Sequence, residues 1–141
     1  MFKTVLLPID LAHTESWEKA LPTALEIAGD GGEVHLLGIV HEVGSAMVAS
    51  FLPKGFEIEA LEKMKAGMED FAAKHARNGT PIYVRVGHGH IPETILKVAA
   101  KVDADLIVMA GHSPTELTSM LVSSYAGKVV RNAPISVMVV R

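Results

Sequence analysis

The feature that most constrains the fold of this chain is an alternation of short apolar runs with segments of helical periodicity. The apolar runs have the length of β-strands, and in the segments between them apolar residues recur every three or four positions. Strands that alternate with helices favour a parallel sheet with helices on both faces, joined by right-handed crossovers. The expected element order is therefore β-α-β-α-β-α-β-α-β, and a flavodoxin-like strand order or a close relative is expected for the sheet.

The boundaries of these elements follow from the apolar pattern and from glycine and proline. The predicted strands are Lys3–Asp10, Glu33–His41, Ile82–Val86, Asp105–Ala110 and Ile135–Val140. The predicted helices are Thr14–Asp30, Phe56–Arg77, Pro92–Lys101 and Ser123–Arg131. Pro22 is unfavourable inside a helix. Either the first helix kinks there, or a first turn ends and a second helix begins with Pro22 at its first position. Glu42–Gly55 is predicted to be a loop over the carboxyl edge, and Gly87–His90 a turn.

Composition excludes several classes of protein. The net charge of −3 provides no basic field for a nucleic-acid backbone. The absence of cysteine excludes disulfides and cysteine-ligated zinc, and it permits a reducing compartment. The N-terminal apolar run is too short for a membrane span and lacks a signal-peptide cleavage pattern. We expect a single soluble, cytoplasmic domain over residues 1–141 that binds neither nucleic acid nor a membrane.

A candidate phosphate site follows the fourth predicted strand. Gly111 opens a polar loop that ends in Ser123 and Ser124, ahead of a helix-compatible segment. Unpaired N–H groups and the macrodipole at a helix start favour anions, so this loop could cradle phosphate. The alternative is an ordinary turn with a serine N-cap. The loop matches neither the Walker sequence nor the dinucleotide-binding GxGxxG sequence.

Asp10 comes directly after the first predicted strand. If this strand borders the reversal of strand order, its carboxylate could accept hydrogen bonds from ribose hydroxyls or hold a metal near phosphates. The alternative is a carboxylate that caps the following turn or helix.

Histidines also collect where predicted strands end: His13, His41, His88, His90 and His112. On a parallel sheet these positions share one rim, where imidazoles could contact phosphates or a metal. The alternative, which we favour over a metal site, is that exposed loop ends accumulate polar residues. The sharper hypothesis is that His112 alone contacts a ligand.

No catalytic constellation is evident. The nucleophile-elbow sequence GxSxG is absent, and a phosphoacceptor site would need more acidic residues than Asp10 at the strand ends. We therefore expect no catalytic residues and at most slow turnover. Met64 and Met68, which lie at helical spacing, are expected in the core.

The segments KTVLLPID, VHLLGIVH, DADLIVMAGHSP and SSYAGKVVRNAPISVMVVR carry a resemblance to the universal stress protein family over essentially the whole chain. The resemblance implies a Rossmann-like, three-layer α/β fold with strand order 3-2-1-4-5 and a role in the stress response. It also implies homodimers, often paired through the final strand. This agrees with the apolar character of Ile135–Val140, because an open edge of that kind needs covering.

Many members of that family bind ATP through a G-x2-G-x9-G-[S/T] motif. Gly111 matches the first glycine, Pro114 stands where the second would be, and Ser123 stands for the third, one residue early. Ser124 matches the hydroxyl residue. Proline removes an N–H donor, but a shorter loop with proline here is similar to a nucleotide-binding subclass of the family.

The resemblance also matches Asp10 to the family's acidic residue, and Pro8, Ile9 and Val40 to positions that line the adenine and ribose. The complete set of candidate site residues is Pro8, Ile9, Asp10, Val40, Gly111, His112, Pro114, Ser123, Ser124 and Tyr125. The implied ligand is ATP, AMP or ADP, with Mg²⁺ as a candidate companion ion. Two alternatives remain open, namely a dimeric interaction module that binds no nucleotide and an enzyme that uses the histidine rim with a metal.

Overall fold

The computed structural model describes residues 2–41, 55–111 and 119–141, and for residues 119–124 it describes the backbone. The strands are β1 (Thr4–Pro8), β2 (Glu33–His41), β3 (Ile82–Gly89), β4 (Leu106–Ala110) and β5 (Ser136–Val140). The helices are α1 (Ala20–Ala28), α2 (Phe56–Lys74), α3 (Ile91–Lys101) and α4 (Ser119–Asn132), with a 3₁₀ turn at Thr14–Ser16. The predicted loop Glu42–Gly55 lies outside the described residues, except for Gly55.

The five strands form one parallel sheet in the order β3-β2-β1-β4-β5. This confirms the predicted α/β class and the order implied by the resemblance, which differs from the flavodoxin order. The chain runs outward from β1 to β3 and then returns to β4 on the other side of β1. The strand order therefore reverses between β1 and β4, and ligands of open α/β sheets bind beyond the carboxyl ends of the strands at such a point.

Helices cover both faces of the sheet, and β1 contributes to both cores. Val5 and Leu7 pack in one apolar cluster with residues of α1 and α2, while Leu6 packs in the opposite cluster with residues of α3 and α4. All three side chains are fully buried. This double burial explains why β1 has a continuous apolar run rather than an alternating pattern.

The predicted helix Thr14–Asp30 is interrupted. The 3₁₀ turn Thr14–Ser16 is followed by α1, which begins at Ala20. Pro22 is the third residue of α1. The N–H of Leu21 bonds to the carbonyl of Trp17 and that of Thr23 to the carbonyl of Lys19, and Pro22 has no N–H to make the bond between these two. A separate first turn is confirmed, but the prediction that Pro22 begins the helix was wrong by two residues.

Helix α2 ends at Lys74, three residues before the predicted end at Arg77. Its apolar stripe is part of the core, because Met68 is fully buried and Met64 packs against the same cluster. A Cβ atom placed on Gly38 of β2 would lie 2.8 Å from Sδ of Met64. The core role predicted for the two methionines is confirmed.

The predicted turn Gly87–His90 was wrong, because β3 continues through Gly89. Gly87, His88 and Gly89 pair in register with Ile39, Val40 and His41 of β2. A Cβ on Gly87 would lie 2.6 Å from Cγ2 of Thr94 in α3. Glycine is needed here because α3 packs closely on the strand.

Two further boundaries differ slightly from the predictions. β4 begins at Leu106 rather than Asp105. The Asp105 carboxylate accepts hydrogen bonds from the N–H groups of Lys3 (2.9 Å) and Thr4 (3.1 Å). β5 begins at Ser136 rather than Ile135. Among the described residues, no helix combines the length and apolarity that a membrane crossing requires.

Candidate functional site

Asp10 and Gly111 follow two neighbouring strands of the sheet. Val5 and Leu6 of β1 pair with Leu106 and Ile107 of β4. Counting on by the same number of residues from this pairing reaches Asp10 after β1 and Gly111 after β4. Both residues thus follow the strands between which the strand order reverses, the place where open α/β sheets bind ligands.

Asp10 has an exposed carboxylate that organises the turn after β1. Its Oδ1 accepts a hydrogen bond from the N–H of Ala12 at 3.0 Å, and its Oδ2 lies 2.8 Å from Nδ1 of His13. The side chains of Asp10 and His13 are 59% and 62% exposed. The turn-capping role is thus present, and the exposure leaves acceptor capacity directed to solvent.

His13 is held as a partner of Asp10. The hydrogen bond to the Asp10 carboxylate and the attraction of its negative charge raise the pKa of His13, and Glu15 adds a smaller attraction. Because Nδ1 faces the carboxylate, Nε2 is the nitrogen left to face solvent. The pair can therefore present both an acceptor and a cationic donor at the end of β1.

Ser16 was missed by the sequence analysis. Its hydroxyl accepts a hydrogen bond from the N–H of Asp10 at 2.8 Å. The same oxygen lies 2.9 Å from the carbonyl oxygen of Asp10 and 2.7 Å from that of His13. Ser16 closes the turn that orients Asp10, and a serine six residues after an aspartate gives no recognisable signal for this role.

Pro8, Ile9 and Val40 lie around the end of β1 with different exposure. Ile9 is 7% exposed and packs in the core, and its N–H donates to the carbonyl of Leu37 at 2.9 Å. Pro8 and Val40 are half-buried, at the ends of β1 and β2. The Ile9 side chain therefore serves the core rather than an open surface.

Gly111 has a packing reason to be glycine. Its N–H donates to the carbonyl of Val140 at 2.6 Å, which extends the pairing of β4 with β5. A Cβ on Gly111 would lie 2.7 Å from Cγ1 of Val139, a distance at which atoms must shift. The residue therefore closes the sheet tightly at the edge of the crevice.

The structure corrects the predicted start of the last helix. α4 begins at Ser119, four residues before Ser123. The amides of Ser123 and Ser124 therefore lie inside the helix, where α-helical hydrogen bonding uses them. The start predicted at Ser123 was wrong, because the small-residue pair resembles an N-cap only when the preceding turn is not helical. Tyr125 is half-buried in α4, while His112 and Pro114 lie outside the described residues.

The predicted histidine rim is present for four of its members. His13 follows β1, His41 ends β2, His88 lies in β3, and His90 precedes α3. Nδ1 of His88 lies 3.2 Å from Oε1 of Glu57 at the start of α2. In the part of the chain that the structure describes, no group of three histidines or acidic residues could hold a metal ion. His112 lies outside that part.

Comparison with known proteins agrees with this architecture. The model of the universal stress protein family matches residues 1–141. The chain is 27% identical to universal stress protein G of Salmonella typhimurium over 143 residues, which cover all of both chains.

Two solved structures share the fold. A universal stress protein in complex with cAMP has a TM-score of 0.63 and 21% identity, with 99% of this chain and 97% of that chain covered. The universal stress protein from Archaeoglobus fulgidus in complex with dAMP has a TM-score of 0.61 and 20% identity, with 100% and 98% covered. From the match of the family model over residues 1–141, the chain belongs to the universal stress protein family.

Proposed function

We propose that this protein binds an adenine nucleotide, namely ATP, ADP or AMP, in the crevice between the carboxyl ends of β1 and β4. The observation that carries the proposal is the alignment of the exposed Asp10 carboxylate with Gly111 where the strand order reverses. We further propose that the protein acts as a cytoplasmic homodimer in the stress response, and that bound nucleotide regulates its contacts rather than entering a dedicated catalytic cycle.

Asp10 is suited to hold a ribose. An ionised carboxylate only accepts hydrogen bonds, and ribose hydroxyls can donate them. Ala12 and His13 each engage one oxygen of Asp10, so each oxygen keeps further acceptor capacity. The hydrogen bonds of Ser16 to the same turn hold the carboxylate in place before any ligand arrives.

The remaining candidate residues complete the proposed site. Pro8 and Val40 would border the adenine and ribose, with Ile9 supporting them from the core. His112, Pro114, Ser123, Ser124 and Tyr125 are proposed for the phosphate side, with Mg²⁺ accompanying ATP. The family neighbours in complex with cAMP and dAMP support an adenine nucleotide as the ligand class.

Calorimetric titration of the protein with ATP and Mg²⁺ tests the proposal, with the fluorescence of Trp17 as a second signal. Asp10→Asn is expected to weaken ATP binding about tenfold or more, because hydrogen bonds to charged groups contribute about 1.5–3 kcal/mol.

Asp103→Asn is the matched control, since Asp103 is exposed at the amino end of β4 and its φ of 56° is one that asparagine tolerates. This variant is expected to bind ATP as the wild type does. If the wild-type protein shows neither heat nor a fluorescence change at millimolar ATP, the proposal is rejected.

A second candidate function is a dimeric interaction module that binds no nucleotide. Two observations favour it, namely the engagement of Asp10 by His13 and the start of α4 at Ser119 rather than Ser123. Replacing Pro114 and Ser123 with glycine distinguishes the two candidates. The double variant should gain ATP affinity only if the wild type lacks it.

The proposed dimer uses β5. This strand pairs with β4 on one side and is the last strand of the sheet. Met138 of β5 is 36% exposed, and Val130 of the neighbouring α4 is 51% exposed. An open strand edge beside exposed apolar side chains favours pairing with a second copy of the chain.

A further inference from the structure

We propose that Arg141 binds the terminal phosphates of the nucleotide and makes the site selective for ATP over AMP. This inference rests on the proposed function, because it assigns a phosphate ligand to the crevice at Asp10. It concerns a residue outside the glycine-containing loop that the sequence analysis singled out.

Arg141 stands in line with Asp10 and Gly111 across three neighbouring strands. Ala110 of β4 pairs with Val140 of β5, so the next residues along both strands, Gly111 and Arg141, are neighbours. β1, which Asp10 follows, lies on the other side of β4. Arg141 is therefore two strand spacings from Asp10, or about 10 Å measured across the sheet.

Arg141 also shares a face of the sheet with Asp10. Ile9 packs in the cluster formed with α1 and α2, whereas Val139 packs in the cluster formed with α3 and α4. Successive side chains of a strand point to opposite faces. Asp10, one residue after Ile9, and Arg141, two residues after Val139, are thus directed to the side covered by α3 and α4.

The packing around Gly111 locates the stem of Arg141. A Cβ on Gly111 would lie 3.3 Å from Cγ of Arg141, so the aliphatic stem lies directly against this glycine. A side chain at position 111 would press on Val139 and on this stem. Glycine keeps the line between the two charged residues open.

The guanidinium group is available to a ligand. Arg141 is exposed, and within the described ranges it forms neither a hydrogen bond nor an ion pair. A guanidinium is always charged and presents a fork of donors that matches phosphate oxygens.

The separation from Asp10 determines which phosphates Arg141 can reach. If Asp10 holds the ribose, the α-phosphate stays near Asp10 because it is bonded to that sugar. The β- and γ-phosphates can extend across Gly111 toward β5. We therefore expect Arg141 to contribute to ATP binding and to contribute little to AMP binding.

Calorimetric titrations of wild type and Arg141→Gln with adenosine, AMP, ADP and ATP test this assignment. The variant is expected to bind ATP about tenfold more weakly, with a change of less than about twofold for adenosine and AMP. Arg141→Lys, which keeps the charge but not the fork, is expected to recover part of the ATP affinity.

Arg77→Gln is the matched control, because Arg77 is exposed and precedes β3 at the amino end of the sheet. It removes the same charge far from the crevice and should leave ATP affinity unchanged. Equal losses for Arg77→Gln and Arg141→Gln would show a general charge effect and overturn the inference.

Two other outcomes would overturn the inference, and they separate it from the proposed function. If wild type binds ATP and Arg141→Gln binds it equally well, the role of Arg141 is refuted while the nucleotide site stands. If wild type binds no nucleotide, the proposed function fails and the role of Arg141 fails with it.

Discussion

Gly111→Ala is expected to destabilise the protein even in the absence of any ligand. The new methyl group would lie 2.7 Å from Cγ1 of Val139 and 3.3 Å from the carbonyl oxygen of Val140. The carbonyl cannot move away freely, because it accepts the N–H of Gly111 itself at 2.6 Å. Overpacking of this kind costs about 1–3 kcal/mol. For a domain of this size, that loss corresponds to a decrease in Tm of about 4–12 °C.

Chemical and thermal denaturation followed by circular dichroism would measure the effect, with Gly127→Ala as the matched control. Gly127 lies inside α4, and a Cβ there would meet only Nη1 of Arg131 at 3.5 Å, an ordinary contact. Because glycine is unfavourable in a helix interior, Gly127→Ala is expected to stabilise the protein by about 0.5–1 kcal/mol. The same chemical change should therefore have opposite signs at the two glycines.

A double-mutant cycle with Val139→Ala tests the proposed cause. Removing the methyl groups of Val139 should recover part of the free energy lost in Gly111→Ala, which gives a coupling energy between the two positions. If Gly111→Ala is neutral or stabilising, or if Val139→Ala recovers nothing, then contact with β5 does not explain this glycine. The reason for glycine at the first motif position would then have to come from a ligand.

Two further predictions concern the Asp10 turn and the open edge of the sheet. An NMR titration of His13 should give a pKa above its ordinary value of about 6.5, and Asp10→Asn should lower that pKa toward the ordinary value. Since the pKa of His13 is raised on folding, any stability from the pair is fully present below about pH 6.5 and is lost as pH rises through the raised pKa. An unchanged His13 titration in Asp10→Asn would contradict the pairing. Val137→Pro should raise the dissociation constant of a β5-mediated dimer at least about tenfold, as measured by analytical ultracentrifugation. The carbonyl of Val140 faces β4, so by alternation the N–H of Val137 faces the open edge. Val137→Ala, which keeps that N–H, should leave the dimer intact, and equal dimerisation of all three proteins would place the interface elsewhere.

Much of the fold could be predicted because burial leaves a local pattern in the sequence. The limits of β2 match the prediction at both ends, since a strand covered on both faces needs an unbroken apolar run. The stripe containing Met64 and Met68 was predicted correctly for a similar reason, because its three- and four-residue spacing keeps one helix face against the sheet. The strand order came from the family resemblance rather than from these patterns.

Glycine and serine were the residues whose roles could not be determined from sequence alone. Gly87 has the local signature of a turn, yet it pairs with Ile39 in β3, and it is glycine because Thr94 of α3 packs against it. Ser123 has the signature of an N-cap, yet α4 begins at Ser119. A small residue permits both a turn and a close approach, and only the neighbouring element decides which of the two occurs.

The sequence by itself thus determined the alternating elements, the apolar faces that form the two cores, and the placement of Asp10 after the first strand. The tertiary structure decided which residues stand beside Asp10, because that depends on the pairing register between strands separated by about a hundred positions in the chain. The line from Asp10 through Gly111 to Arg141 exists only in this register. The physical reason is that periodicity reports whether a residue is buried, whereas hydrogen-bonded register and packing distance determine its neighbours.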